Sequence, residues 1–251
     1  MANFLTGERT RNIFNPDSAE PFKLSRSKLE LFIECPRCFY LDRRLGIGRP
    51  PGYPFTLNTA VDTLLKKEFD FHRVRGSVHP LMKTYGIEAV PLNHERIPEW
   101  RNNFKGVQYF HSPTNLIITG AVDDVWVDKN ENLIVVDYKA TSTTQEISLE
   151  SEYREGYKRQ MEIYQWLLRQ NEFKVSDLGY FVYANGLTDR AAFDGKLEFN
   201  VQIIPYKGNA EWVGAKIIEA HKCLLGDLPP SSVRCGYCLY RKAAGKYERG
   251  L

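Results

Sequence analysis

The strongest constraint on the fold is a strand, a polar turn and a second strand in residues 120–140, which read GAVDDVWVDKNENLIVVDYKA. The polar segment 128–132 is typical of a hairpin turn between two apolar strands. Counting back along both strands from this turn places Asp123 opposite Asp137. Lys139 lies two residues beyond Asp137 and therefore points to the same face of the predicted sheet. The sequence thus predicts that two carboxylates and one ammonium group converge.

This grouping of charges has two interpretations. Cross-strand partners have Cβ atoms roughly 5 Å apart, and like charges there are unfavourable unless a cation lies between them. Hard divalent cations such as Mg²⁺ or Mn²⁺ bind carboxylate oxygens of this kind and lower the pKa of a bound water. Lys139 would then orient that water or stabilise charge that develops on phosphorus. The other interpretation is a surface hairpin with ordinary charges, because acidic residues near turns are common.

Composition bounds the class of protein. With 251 residues, 43% of them hydrophobic and 26% charged, the chain can bury a core without disulfides. No apolar run approaches the roughly 18 residues that a membrane span needs, and the first residues lack the apolar segment of a secretory signal. We therefore expect a cytoplasmic protein with reduced cysteines and no membrane partner. The net charge of +3 permits a polyanionic partner such as DNA without requiring one.

The order of the predicted elements favours an α/β fold. Apolar residues at helical spacing predict an amphipathic helix near residues 57–73. The positions expected to face inward are Ala60, Val61, Leu64, Leu65 and Phe69. Four β-rich segments follow, including one continuous segment at 115–127, and then a helix near 151–170, two strands and another helix. This order predicts one sheet with helices on its faces.

The hairpin and the helix after it resemble a known nuclease signature. GAVDD, then DYK, then YKRQMEIYQWLL is similar to the RecB-type signature of the PD-(D/E)XK superfamily, which reads G-x-x-D, D-x-K and Q-x-x-x-Y. The matching positions are Gly120, Asp123, Asp137, Lys139, Gln160 and Tyr164. Upstream, LSRSKLELFIECPRCFYLDRRLGI resembles the opening helix of RecB/AddB-like nucleases.

The resemblance implies a restriction-endonuclease-like core, with a mixed central β-sheet flanked by helices. It implies a single nuclease domain over residues 23–251, with its core at about 57–206. Residues 1–22 are polar and irregular and are expected to form a flexible arm.

The resemblance also implies catalytic roles for Asp123, Asp137, Lys139, Gln160 and Tyr164. The two aspartates would bind Mg²⁺ or Mn²⁺ together with the main-chain carbonyl of Tyr138, and the lysine would be the catalytic lysine. Gln160 and Tyr164, four residues apart on one helix face, would position the lysine or the DNA backbone. Tyr164 would otherwise be a core residue of its helix.

One position departs from the family pattern. RecB-type enzymes usually carry a histidine on the preceding helix, and Asp62 stands at the matching place in LNTAVD. An aspartate can ligate a hard cation, so Asp62 is expected to join the divalent-metal site.

The cysteines form two C-x-x-C pairs far apart in the chain. Cys35 and Cys38 lie near the start and Cys235 and Cys238 near the end, a spacing that lets both thiolates of a pair reach one metal. RecB/AddB-like and CRISPR-associated nucleases often hold an iron–sulfur cluster with one N-terminal and three C-terminal cysteines, whereas this chain divides them two and two. A [4Fe-4S] cluster, a structural Zn²⁺ and reduced cysteines without metal all remain open.

The resemblance implies a metal-dependent DNA nuclease similar to RecB-like exonucleases that act on single-stranded DNA or DNA ends. Repair, recombination and CRISPR-type defence are the settings it suggests. No G-x-x-x-x-G-K-[ST] loop occurs, so a helicase motor, or a CRISPR or recombination protein, would be a separate partner. The alternative is a catalytically silent DNA-binding or assembly subunit that retains the nuclease fold.

Overall fold

The computed structural model describes residues 8–52, 56–150 and 154–248. It divides into two compact units. The terminal unit comprises residues 1–53, 110–119 and 211–251, and the central unit comprises residues 54–109 and 120–210. The central unit is therefore inserted in the sequence between pieces of the terminal unit.

Four helices follow the first strand, and most of the other strands lie in the middle of the chain. In order, they are β1 (Phe22–Ser25), α1 (Arg26–Glu34), α2 (Pro36–Arg44), α3 (Thr56–Arg75), α4 (Pro80–Thr84), β2 (Ala89–Pro91), α5 (Ile97–Trp100), β3 (Val107–His111), β4 (Leu116–Gly120), β5 (Asp124–Asp128), β6 (Leu133–Thr141), α6 (Glu155–Gln170), β7 (Leu178–Gly186), β8 (Phe199–Lys207), α7 (Trp212–Leu225) and α8 (Gly236–Glu248). Within the described residues, no helix is long and apolar enough to cross a membrane.

The central unit contains a five-stranded sheet of order β2-β5-β6-β7-β8. Strands β5 and β6 are antiparallel, β6 and β7 are parallel, and β7 and β8 are antiparallel. Helix α6 forms the crossover that the parallel pair requires. The expected mixed sheet with flanking helices is confirmed.

Helix α3 buries a narrower stripe against this sheet than its sequence predicts. Leu65 and Phe69 are buried as expected, and the Phe69 ring stacks on Trp126 of β5 with centroids 5.4 Å apart. Ala60 and Leu64 are exposed, so their predicted inward orientation is wrong. The buried residues of α3 are four apart in the sequence, so about one residue per helical turn is buried.

The β-rich segment 115–127 is broken in two instead of forming one continuous strand. It divides into β4 and β5, which belong to different sheets, and residues 121–123 leave the ladder between them. The N–H of Val122 donates to the carbonyl of Trp100 at 3.1 Å, outside any strand pairing. The break places Asp123 immediately before the first residue of β5.

The terminal unit contains β1, α1, α2, α7 and α8. Strand β1 lies parallel to β4, in a sheet of order β1-β4-β3. Residues 1–7 of the predicted arm lie outside the described residues. Further along the arm, Phe14 is buried and its N–H donates to the carbonyl of Arg43 at 2.7 Å.

Candidate active site and cysteine metal centre

The carboxylate pair is built by the hairpin of β5 and β6. Asp124 pairs with Val136, so Asp123, one residue earlier, faces Asp137. The Oδ2 atom of Asp123 accepts a hydrogen bond from the main-chain N–H of Tyr138 at 3.1 Å. This bond fixes the carboxylate of Asp123 against the next strand, beside the carboxylate of Asp137.

Asp137 occupies an environment that disfavours its negative charge. Its side chain is fully buried, and burial, reinforced by the nearby Asp123, raises its pKa to about 7 although Lys139 opposes the shift. Its Oδ2 atom forms an ion pair with Lys139, and its Oδ1 atom accepts a hydrogen bond from Nε2 of Gln160. A buried carboxylate whose negative charge is only partly compensated fits a ligand of a hard divalent cation.

Asp123, in contrast, occupies an environment that favours its negative charge. Burial opposes its ionisation, but Lys66, Lys139 and the Tyr138 N–H outweigh burial and lower its pKa. Its side chain keeps 23% of its surface exposed, so an incoming ion or substrate can reach it. The pair therefore combines an ionised, accessible carboxylate with a buried one that ionises near neutral pH.

Gln160 joins the lysine to the carboxylates. Its Nε2 donates to Oδ1 of Asp137 at 2.9 Å and to the hydroxyl of Tyr164 at 3.0 Å. Its Oε1 accepts from Nζ of Lys139 at 3.4 Å. One carboxamide thus orients both the lysine and the buried aspartate. The structure brings together all five residues that the sequence singled out for catalysis.

Gly120 makes the approach of Tyr164 feasible. A Cβ atom at this glycine would lie 2.7 Å from Cε1 and 2.9 Å from Cδ1 of the Tyr164 ring. Such distances are far inside van der Waals contact, so any side chain there would displace the ring. The glycine and the tyrosine of the sequence signature are therefore in direct contact.

Lys66 is a site residue that sequence reasoning missed. Its Nζ lies 2.8 Å from Oδ2 of Asp62 and 3.0 Å from Oδ1 of Asp123. Burial disfavours the ammonium, but the two carboxylates outweigh burial and raise its pKa. The only sequence signal is the four-residue spacing from Asp62 to Lys66 on α3. Asp62 lies beside Asp123, with the lysine ammonium between them.

A buried ion network behind the carboxylates was also not predicted. Asp124 is fully buried and forms ion pairs with Arg73 and Arg101. It also accepts a hydrogen bond from the hydroxyl of Tyr138 at 2.6 Å, and Arg101 donates to the main-chain carbonyl of Asp123 at 2.9 Å. The network therefore holds the residues that follow Asp123 and Asp137 in the sequence. The sequence signal for this network is Asp124, because the alternation of inward and outward side chains along a strand places this aspartate in the core.

The four paired cysteines converge within the terminal unit. Cys35, Cys38, Cys235 and Cys238 are all buried, and their sulfur atoms lie within 4.8 Å of one another. Burial raises the pKa of the Cys38 thiol to about 12, whereas hydrogen bonds from neighbouring groups outweigh burial at Cys235 and lower its pKa to about 7. The cluster can bind a metal ion. The fifth cysteine, Cys223, is only half-buried and is not part of this cluster.

Comparison with known proteins identifies the family. The model of the PD-(D/E)XK nuclease superfamily matches residues 57–243. The chain belongs to this superfamily, whose members are generally hydrolytic nucleases that use divalent metals. Its mixed sheet flanked by helices is consistent with the restriction-endonuclease-like fold.

Solved structures and curated proteins provide two further comparisons. A solved structure described as the crystal structure of SSO0001 is 16% identical and has a TM-score of 0.35, covering 88% of this chain and 84% of that one. The chain has no match among curated proteins.

Proposed function

We propose that the protein is a metal-dependent DNA nuclease that hydrolyses phosphodiester bonds. The observation that carries this proposal is the hydrogen-bonded cluster of Asp123, Asp137, Lys139 and Gln160 at the end of one hairpin. A structural role alone does not explain it, because two carboxylates held together, one of them buried, destabilise a fold that gains nothing from them.

Asp123 and Asp137 would hold Mg²⁺ or Mn²⁺, with Asp62 and the main-chain carbonyl of Tyr138 as further oxygen ligands. When bound, the ion supplies a water activated for attack and compensates the charge of the scissile phosphate. The ionised state of Asp123 prepares the site for a cation before Asp137 loses its proton.

Lys139 is the group that we assign to the reacting water and phosphate. Burial disfavours its ammonium form, but Asp137 and Asp123 outweigh burial and raise its pKa, so it stays charged at neutral pH. A charged donor at a fixed position can stabilise negative charge that develops on the phosphoryl oxygens. Gln160 positions this lysine, and Tyr164 supports Gln160 through its hydroxyl group.

We further propose that the enzyme is a RecB-like exonuclease that acts on single-stranded DNA or DNA ends. This proposal rests on the RecB-type spacing of G-x-x-D, D-x-K and Q-x-x-x-Y in the sequence. Repair, recombination or CRISPR-type defence would be its setting, where a helicase or another component of that system would present the DNA strand.

The test compares wild-type protein with Asp137→Asn on end-labelled single- and double-stranded DNA, with Mg²⁺ or Mn²⁺. Asparagine preserves the volume of the buried side chain but cannot supply the charge, so cleavage should fall by about a hundredfold or more. Asp189→Ala is the matched control, because Asp189 is an exposed acid whose side chain is 73% accessible. The control should cut like wild type.

Closed circular single-stranded DNA distinguishes the general proposal of a nuclease from the narrower proposal of an exonuclease. Degradation of linear strands with intact circles supports an exonuclease, and strands labelled at the 5′ or 3′ end then give its polarity. Nicking of circles would refute the exonuclease while keeping the nuclease. Binding of DNA without metal-dependent cleavage in wild-type protein would instead favour the catalytically silent subunit.

A further inference from the structure

The cysteine centre has the internal symmetry of two similar half-sites. Cys35 caps α2, and its sulfur accepts the main-chain N–H of Cys38 at 3.4 Å. The sulfur of Cys235, just before α8, likewise accepts the main-chain N–H of Cys238. In each half-site the first sulfur receives a main-chain donor, an arrangement that stabilises a thiolate.

The size of the centre decides what it can hold. Sulfur–sulfur distances are 3.6 Å from Cys35 to Cys238 and 3.6 Å from Cys38 to Cys235, and all four sulfurs lie within 4.8 Å of one another. A zinc ion with four thiolates at about 2.3 Å places those sulfurs about 3.8 Å apart. A [4Fe-4S] cubane carries each thiolate on a different iron and separates the sulfurs by about 6 Å. The observed sulfur separations are close to those around a single ion and shorter than those around a cubane.

We propose that the four cysteines hold one tetrahedral zinc ion, not a [4Fe-4S] cluster. Each 3.6 Å contact joins a cysteine of the first pair to one of the second, so a single ion would be shared by both half-sites. The distances are far beyond the roughly 2.05 Å of a disulfide, and all four thiols are free.

The surroundings suit four thiolates around a dication, which together carry a net charge of about −2. Nη2 of Arg49 lies 3.6 Å from the sulfur of Cys235, and the same guanidinium lies over the Tyr237 ring with its Cζ 4.7 Å from the centroid. The arginine therefore offsets part of the negative charge from a fixed position. Zinc is preferred to a single ferrous ion because thiolate sites bind Zn²⁺ more tightly than Fe²⁺.

The first measurement uses the wild-type protein, expressed with both zinc and iron supplied and purified without oxygen. We expect about one zinc per chain, no acid-labile sulfide and no visible charge-transfer absorption. Iron and sulfide in cluster proportions, a single iron, or no metal would each overturn the proposal. The result does not depend on whether the protein cuts DNA.

Substitutions assign the metal to the cysteines. Cys38→Ser and Cys238→Ser remove one ligand from each half-site, and both should lose zinc. Cys223→Ser is the matched control, because this cysteine lies in the same unit with its sulfur 3.9 Å from the carbonyl of Pro36, outside the cluster. Zinc retained in both test variants, or lost from the control, would refute the assignment.

Cobalt tests the geometry in unaltered protein. Co²⁺ exchanged into the wild-type site should give the intense visible bands of tetrahedral thiolate coordination. A weak octahedral spectrum would overturn the proposal even if zinc were found by elemental analysis.

Discussion

The buried carboxylate of Asp137 should make the stability of the central unit depend on pH. Its pKa is raised from 3.8 to about 7 in the folded protein, mainly by burial. The folded chain therefore holds this proton over a pH range in which the unfolded chain has released it. The free energy of unfolding must then fall as pH rises from about 4 to about 7.

The magnitude follows from the size of the pKa shift. Three pK units correspond to about 4 kcal/mol in total, of which about 2 kcal/mol should be lost between about pH 5.5 and 8. The assay is urea unfolding at a series of pH values without added divalent cation. Tryptophan fluorescence reports mainly on the central unit, which contains Trp100, Trp126 and Trp166.

Asp137→Asn is the control that isolates this carboxylate, because every other titrating group is retained. Subtracting its curve from that of wild type should leave a decline of about 2 kcal/mol over this range. Added Mg²⁺ should flatten or reverse the decline in wild type only, because the cation binds the ionised carboxylate. A difference curve that stays flat without metal would refute the reasoning.

Three substitutions test other parts of the site. Lys66→Met should tighten Mg²⁺ binding several-fold, because the lysine ammonium no longer competes for the carboxylates of Asp62 and Asp123. Calorimetry measures the affinity, and weaker binding would contradict this. Gly120→Ala should lower the free energy of unfolding in urea by about 1–3 kcal/mol and reduce cleavage, because the new Cβ collides with the Tyr164 ring. Unchanged stability and cleavage would show that the ring moves freely. Tyr138→Phe should lower the free energy of unfolding by about 1–3 kcal/mol, because an oxygen of the buried Asp124 loses its hydrogen-bond donor. Cleavage should fall less than in Asp137→Asn, and unchanged stability would show that the hydroxyl contributes nothing.

The parts of the site that depend on local geometry were accessible from sequence. The approach of Asp123 to Asp137 follows from one turn and the two-residue period of strands, and the observed register agrees with it. The four-residue spacing of Gln160 and Tyr164 likewise places them on one face of a single helix, where they share a hydrogen bond.

The parts that depend on how elements pack were not accessible. The contact of Lys66 with Asp123 joins residues 57 positions apart and depends on the rotation of α3 over the sheet. The same rotation decides that Leu65 is buried while Leu64, its neighbour in the sequence, is exposed. Apolar periodicity identifies the helix but does not fix its rotation to within one residue.

The separation of the two cysteine pairs has a consequence for synthesis on the ribosome. Cys38 and Cys235 are 197 residues apart, so at common elongation rates about 10 to 40 s pass between their appearances. The whole central unit is made in that interval and can fold before the second pair exists. Until then Cys35 and Cys38 are two unprotected thiols on a nascent chain, vulnerable to oxidation and to capture by the wrong metal. Joining the two pairs therefore requires that the first pair stay reduced until the second pair has been made.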